Sequence, residues 1–282
     1  MLVNTKKVLE DAQRGKYAVA AFNVYNLETV QAAIRVAEKV NQPVIIALGE
    51  RYFGEVDVEG FSAMVHAIAA KAAVPVSLHL DHAYEKKSII RAIRCGFTSV
   101  MYDGSKFDLE HNIRNTKDIV DIAHMAGVSV EAEIGSVARG AFSDEDEGDG
   151  TLTDPQSAEY FVKETGIDFL AAAIGTVHGL YHGEPHIDLS LLEKIRASVQ
   201  VPLVLHGGSG TPDEMITQAI KLGICKINVN TEISMAAVTH LQTHIRRYSD
   251  AKAHLSTIMS DMQISMEPVM TKFVRLLANK TN

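Results

Sequence analysis

The sequence predicts an α/β protein of the (β/α)8, or TIM, barrel class, a single domain over residues 1–282 with extra helices at its C-terminal end. Three observations predict it. Short apolar, β-prone segments recur eight times, helix-patterned stretches separate them, and the strand bodies are apolar nearly throughout rather than alternating. Strands apolar on both faces belong to parallel sheets covered by helices. Eight such units in about this length close a barrel, with a doubly wound sheet as the competing architecture. Of the 282 residues 46% are hydrophobic, enough for one large core.

Taken in order, MLVNTKKVLEDAQRG has the pattern of an amphipathic helix closed by Gly15, not of a signal peptide. The eight strand segments are AVAAFN (18–23), PVIIAL (43–48), VPVSLHLD (74–81), SVMYD (99–103), VSVEAEI (128–134), FLAAAI (169–174), VPLVLH (201–206) and CKINVN (225–230). Between them, 27–40, 86–96, 113–127 and 213–223 carry apolar residues at three- and four-residue spacing, and several end in glycine. Residues 264–280 predict a terminal amphipathic helix, packed on the barrel or on a partner subunit. Residues 135–154, GSVARGAFSDEDEGDGTLTD, break the rhythm as a long acidic, glycine-rich loop. They are either a disordered surface insertion or a mobile lid over a site.

A net charge of -8 without a Lys/Arg-rich run argues against nucleic acid and anionic membranes as partners. The apolar runs are too short to span a bilayer. Cys95 and Cys225, far apart in apolar contexts, fit reduced core residues of a cytoplasmic protein better than a disulfide.

In a barrel the carboxyl ends of the strands face the active site. Those positions are Asn23, Gly49, Asp81 with His82, Asp103, Glu133, His178, His206 and Asn228. Histidines at three of these ends, His82, His178 and His206, supply the three protein ligands of a catalytic Zn²⁺ site with one position open. By strand alternation His79 and Asp81 point into the barrel, while His82 begins the loop above. His79 is then a packed, hydrogen-bonded interior residue. Asp103 and Glu133 are structural carboxylates, groups behind the metal ligands, or an alternative metal position. His182 and His186 lie in a loop, and His111, His124, His240, His244 and His254 on helical stretches.

HGGSG (206–210) and INVNTE (227–232) follow the last two strands. Glycine-rich turns into helices leave backbone N–H groups for an anion, and barrels often hold phosphate there. Gly179, in TVHG, offers a further close backbone approach. A metal beside a phosphate cradle points to a small phosphorylated substrate.

LHLDHA, VEAEIG, IGTVHGLYHGEP, VPLVLHGGSG and KINVNTE, in this order, resemble the class II, zinc-dependent ketose-bisphosphate aldolases. The likeness runs to about Ser234 and implies a (β/α)8 barrel assembled as a homodimer or homotetramer. It implies His82, His178 and His206 as zinc ligands, with Asp103 and Glu133 near the metal. Asp81 would be the catalytic acid/base, Asn228 would hydrogen-bond the ene-diolate, and a lid glutamate, Glu145 or Glu147, would handle the carbon-bound proton. Asn23, Gly179, Gly207, Gly208, Ser209, Asn228, Val229, Asn230 and Thr231 would bind substrate, with a monovalent cation (Na⁺ or K⁺) beside the dihydroxyacetone-phosphate site. The implied activity is reversible cleavage of fructose 1,6-bisphosphate, tagatose 1,6-bisphosphate or a related ketose 1-phosphate to dihydroxyacetone phosphate and an aldehyde.

The chain departs from this pattern on the aldehyde half. Gly49 stands where a serine or threonine is usual, LDHA replaces LDHG, and the lid is longer than G-x-EDG. Arg275 is the basic residue available for a distal phosphate. A zinc hydrolase of the amidohydrolase type would need H-x-H at the first strand and an aspartate at the last, where this chain has FNVYN and NVNTE. A non-catalytic sugar-phosphate-binding subunit would not need Asp81 together with all three histidines.

Overall fold

The computed structural model describes residues 2–145, 148–250 and 253–279. Eight of its parallel strands close a barrel: β1 (Val19–Asn23), β2 (Val44–Gly49), β3 (Val76–Ala83), β4 (Ser99–Tyr102), β5 (Ser129–Ile134), β7 (Phe169–Ala172), β9 (Leu203–Leu205) and β10 (Ile224–Val229). Two further strands, β6 (Ala138–Arg139) and β8 (Val177–His178), form a separate parallel ribbon above it. The helices are α1 (Thr5–Gly15), α2 (Leu27–Val40), α3 (Val58–Ala69), α4 (Lys86–Arg94), α5 (Leu109–Met125), α6 (Pro155–Thr165), α7 (Leu189–Ser198), α8 (Asp213–Lys221), α9 (Thr231–Asp250) and α10 (Leu255–Leu277). A 3-10 turn, η1 (Glu50–Gly54), follows β2.

Local chemistry places the helix starts. Asn4 caps α1 through the Lys6 amide, Asn26 and Thr29 form a reciprocal capping box on α2, and Asp154 caps α6 ahead of Pro155. The terminal helix begins earlier than its periodicity suggests, at Leu255, and accommodates Pro268 inside it.

Period-2 alternation sorts the barrel strands into two cores. Outward residues such as Phe22, Ile46, Leu78, Leu80 and Val130 pack beneath the helices. Inward residues change character with height. At the amino-terminal end Val19, Ile45, Phe169 and Cys225 meet Val8, Leu9 and Ala12 of α1, which plugs the barrel floor. Above that apolar layer the interior turns polar, with Ser77, His79, Ser99, Glu131 and Lys226 all fully buried. The barrel therefore stacks an apolar floor, a hydrogen-bonded middle and a reactive top. Among the described residues no helix is long and apolar enough to cross a membrane.

Candidate active site at the carboxyl end of the barrel

His82 reaches the site by breaking the alternation that built its strand. Asp81 and His82 are consecutive, so a regular strand would send them to opposite faces. The β3–β4 register shifts between Leu80 and Ala83, and His82 takes φ 37. This bulge turns both side chains inward. The expectation that His82 opens the following loop is thus corrected, since it lies within β3. His178 also differs from expectation. The sixth barrel strand stops at Ala172, and His178 sits on the separate β8, held beside Arg139 of β6. The loop 135–154, read as lacking strand, supplies that partner; Gly140 N–H donates to the His178 carbonyl at 2.7 Å.

The three rings meet with centroids 4.5 to 5.8 Å apart. Asp103 Oδ2 accepts from His82 Nδ1 at 2.9 Å, leaving Nε2 facing the site. Glu131 Oε1 accepts from His206 Nε2 at 2.7 Å, leaving Nδ1 facing the site. The two free nitrogens stand 2.7 Å apart, and His178 Nε2 is buried without a partner. Lone pairs converging in a buried space require a cation or a proton between them. Carboxylates behind two of the three imidazoles are the usual support of a metal-binding histidine. The donor set therefore fits a divalent ion of the zinc type. Burial pushes His178 and His206 below the ordinary imidazole range. For His82 burial acts the same way, but the charges of Asp81, Glu145 and Asp103 outweigh it and raise it.

Asp103 also accepts from the Ser105 amide and hydroxyl, so its oxygens are committed to orienting His82. Glu133 is buried with Oε2 unpartnered, and burial followed by the Asp103 charge raises its carboxyl well above the usual range. With His82 and Asp103 it forms a second group of closely spaced donor atoms.

Asp81 is held from both sides. Asn23 Nδ2 donates to Oδ2 and Asn228 Nδ2 to Oδ1, each at 2.9 Å. Burial would raise this carboxyl, but positive charge at His82, Lys226 and His206 outweighs it and holds Asp81 well below the usual carboxylate range. Glu145, a lid residue, lines the same cavity as Asp81 and His82. Burial is the largest influence on Glu145 and pushes it up. Glu147 lies outside the described residues.

The glycine-rich turns form a tight shelf beside the histidines. Gly179 and Gly207 have φ 92 and 73, and a Cβ on Gly207 would fall 2.2 Å from the Val177 carbonyl. Gly208, Ser209, Asn230 and Thr231 line the cavity, with Thr231 opening α9. Val229 is different: its side chain is in the outer core, so only its backbone is available.

Sequence reasoning missed the pair beneath this site. Lys226 Nζ donates to Glu131 at 2.8 and 3.1 Å, both side chains fully buried. Burial would raise Glu131, but Lys226, His206 and His79 hold it down to about 2. The signal was present: Glu131 shares a strand face with Glu133, and Lys226 with Asn228. His79 is packed as expected, its Nδ1 2.8 Å from Ser99 Oγ. Arg275 is placed away from the site. It is exposed, two residues before Leu277, whose carbonyl accepts from Ala18 at the start of β1 on the barrel floor. Gly49 also has a structural reason, because a Cβ there would press on the Tyr52 ring at 3.3 Å.

A family model for class II fructose-bisphosphate aldolase matches residues 3–281. The chain belongs to that family. Among solved structures it is similar to the YdjI aldolase of Escherichia coli K12, at 37% identity and TM-score 0.88, over 98% of this chain and 97% of that one. A Coccidioides immitis protein assigned as a fructose-1,6-bisphosphate aldolase shares 32% identity and TM-score 0.88, covering 97% and 95% of the two chains. A fructose-bisphosphate aldolase of Campylobacter jejuni, at 21% identity and TM-score 0.82 over 98% and 95%, shares the fold. The fold is the family's barrel and the activity class is aldolase.

Proposed function

We propose that this aldolase catalyses the reversible retro-aldol cleavage of a ketose 1-phosphate or ketose bisphosphate to dihydroxyacetone phosphate and an aldehyde, dependent on zinc. The observation that carries the reading is the convergence of His82 Nε2, His206 Nδ1 and a ring nitrogen of His178 beside an Asp81 held by two amides. His82, His178 and His206 would hold Zn²⁺, which when bound supplies a Lewis acid for the ketose carbonyl.

The chain's own residues supply the proton transfers. Asp81, ionised and oriented by Asn23 and Asn228, takes the C4 hydroxyl proton. The O–H electron pair becomes the aldehyde C=O as the C3–C4 bond breaks and its pair passes to C3. Glu145, whose raised carboxyl exchanges protons nearer neutrality, returns a proton to C3 and completes dihydroxyacetone phosphate. Backbone at Gly179, Gly207, Gly208, Asn230 and Thr231, together with Ser209, receives the phosphate at the start of α9. The two unpaired cysteines fit a reducing cytoplasm. The homodimer or homotetramer reading fits the exposed Val238 and Ile245 on α9.

The test is a panel of ketose mono- and bisphosphates scored for dihydroxyacetone phosphate release, with metal-stripped and zinc-restored enzyme side by side. Release only after zinc is restored is expected. Full turnover by metal-free enzyme would remove the zinc assignment, and failure of every ketose phosphate would remove the substrate class.

A further inference from the structure

The tip of the lid comes down on the barrel wall, where two of the residues that receive it, Arg51 and Tyr52, have no part in the chemistry above. Asp144 accepts from the Tyr52 hydroxyl and, at 3.1 Å, from Asn230 Nδ2. Asn230 is itself held by the Tyr25 hydroxyl, and Tyr25 packs edge-on against Tyr52 with centroids 4.7 Å apart. Arg51 Nη1 lies 3.5 Å from Glu145 Oε2 and 3.9 Å from Asp144 Oδ1. Arg51 and Tyr52 belong to η1, anchored at the end of β2, and Asn230 follows β10, so the receiving groups are fixed to the barrel wall.

The lid is fastened at its root as well. Ala141 and Leu180 exchange two backbone hydrogen bonds of 2.7 Å, tying the root to the segment that carries His178. Phe142 then takes φ 56, a conformation that non-glycine residues adopt only when their surroundings impose it. The next three residues reach the cavity wall. Asp81, His178, the glycine shelf and Ser143–Glu145 line one cavity, partly open to solvent. The charge pairs at the seat are partly exposed, and such pairs are individually weak. Arg51 and Asp144 keep 25% and 46% of their side-chain surface in solvent.

We propose that Arg51 and Tyr52 are positioning residues for the carbon-bound proton transfer: they seat the lid through Asp144 and aim the Glu145 carboxylate at the substrate. This rests on the proton-transfer role proposed for Glu145. The structure's order of parts is a fixed wall, a partly exposed Asp144 contact, and the reactive carboxylate one residue beyond it.

The experiment measures lid opening and proton transfer separately on zinc-loaded enzyme. Amide hydrogen exchange over 142–145 reports the lid. Loss of a proton signal from the hydroxymethyl carbon of dihydroxyacetone phosphate, the former C3 of the ketose, in deuterated buffer with no aldehyde present reports the proton transfer. In the double variant Arg51→Met/Tyr52→Phe, lid amides should exchange about fivefold faster, from the loss of weak partly exposed contacts. Methylene exchange should slow about tenfold, less than the 10²- to 10⁴-fold of a complete general acid–base contribution because Glu145 itself is kept. The loss should fall on kcat more than on KM, zinc content should stay unchanged, and Arg51→Lys should recover most of the rate. Unchanged lid amides in the double variant would overturn the seat. A faster lid with normal methylene exchange, while Glu145→Gln abolishes that exchange, would overturn the positioning role. Normal methylene exchange in Glu145→Gln would instead remove the proposed role of Glu145, and the positioning role with it, whatever the lid amides show.

Discussion

Replacing Glu131 by glutamine separates metal support from fold stability. Glutamine keeps the shape and one acceptor oxygen for His206 Nε2, now 2.7 Å from Oε1, but removes the charge. A neutral acceptor orients the imidazole less firmly and makes His206 Nδ1 a poorer donor. Loss of a carboxylate behind a metal histidine typically weakens metal binding by about 10- to 100-fold, or about 1.4 to 2.7 kcal/mol. The same change strands Lys226 Nζ, fully buried and 2.8 Å from Glu131 Oε2 in the wild type. Removing one partner of a buried ion pair costs about 3 to 5 kcal/mol. Glu131→Gln should therefore lose both zinc affinity, read by competition with a chromogenic chelator, and stability, read by urea unfolding of the metal-free protein. The double variant Glu131→Gln/Lys226→Met should regain most of the stability, because no unpaired charge remains, yet keep the weakened zinc affinity. Zinc affinity within threefold of wild type in the single variant would refute the supporting role. An equally unstable double variant would refute the ion-pair account of the stability loss.

Other outcomes follow from the same geometry. His178→Ala removes one of three converging donors and should abolish tight zinc binding, measured on the purified protein by metal analysis after dialysis. Asp81→Ala should retain zinc but lose cleavage by about 10²-fold or more; normal cleavage would move the acid/base role elsewhere. Gly207→Ala forces a Cβ to within 2.2 Å of the Val177 carbonyl at φ 73. It should cost at least about 1 to 2 kcal/mol of stability and weaken zinc binding through the adjoining His178, both visible in unfolding with and without metal. Burial pushes the Cys225 thiol up to about 11, so in a Cys95→Ser background, which removes the partly exposed thiol, a disulfide reagent at pH 8 should label Cys225 only after denaturation; rapid labelling of that native variant would contradict its burial.

The barrel itself was legible in the sequence because one local rule repeats. Apolar strands such as PVIIAL and VPLVLH must be covered on both faces, and the helices between them carry the complementary stripe. Given a barrel, polar residues at strand ends gather at one mouth, which is why Asp81, His82, His206 and Asn228 could be singled out from position alone. The glycine-rich shelf proposed to hold phosphate was legible for a related reason: HGGSG follows β9 and INVNTE runs from β10 into α9, and the two strands are paired neighbours in the barrel.

Closure of the barrel and its irregularities decided the rest. Glu131 and Lys226 lie 95 residues apart, on strands separated around the barrel by β7 and β9, so their pairing exists only once the ring closes in register. His82 needed a bulge, which period-2 reasoning cannot foresee, and His178 needed a ribbon formed by residues from the loop after β5. Arg51, Tyr52 and Asp144 come from segments without a periodic pattern, and only the seated loop brings them together. Sequence periodicity specifies which face a residue shares with its near neighbours. Which distant residues meet across the barrel depends on closure, register and loop seating, so those contacts belong to the tertiary structure alone.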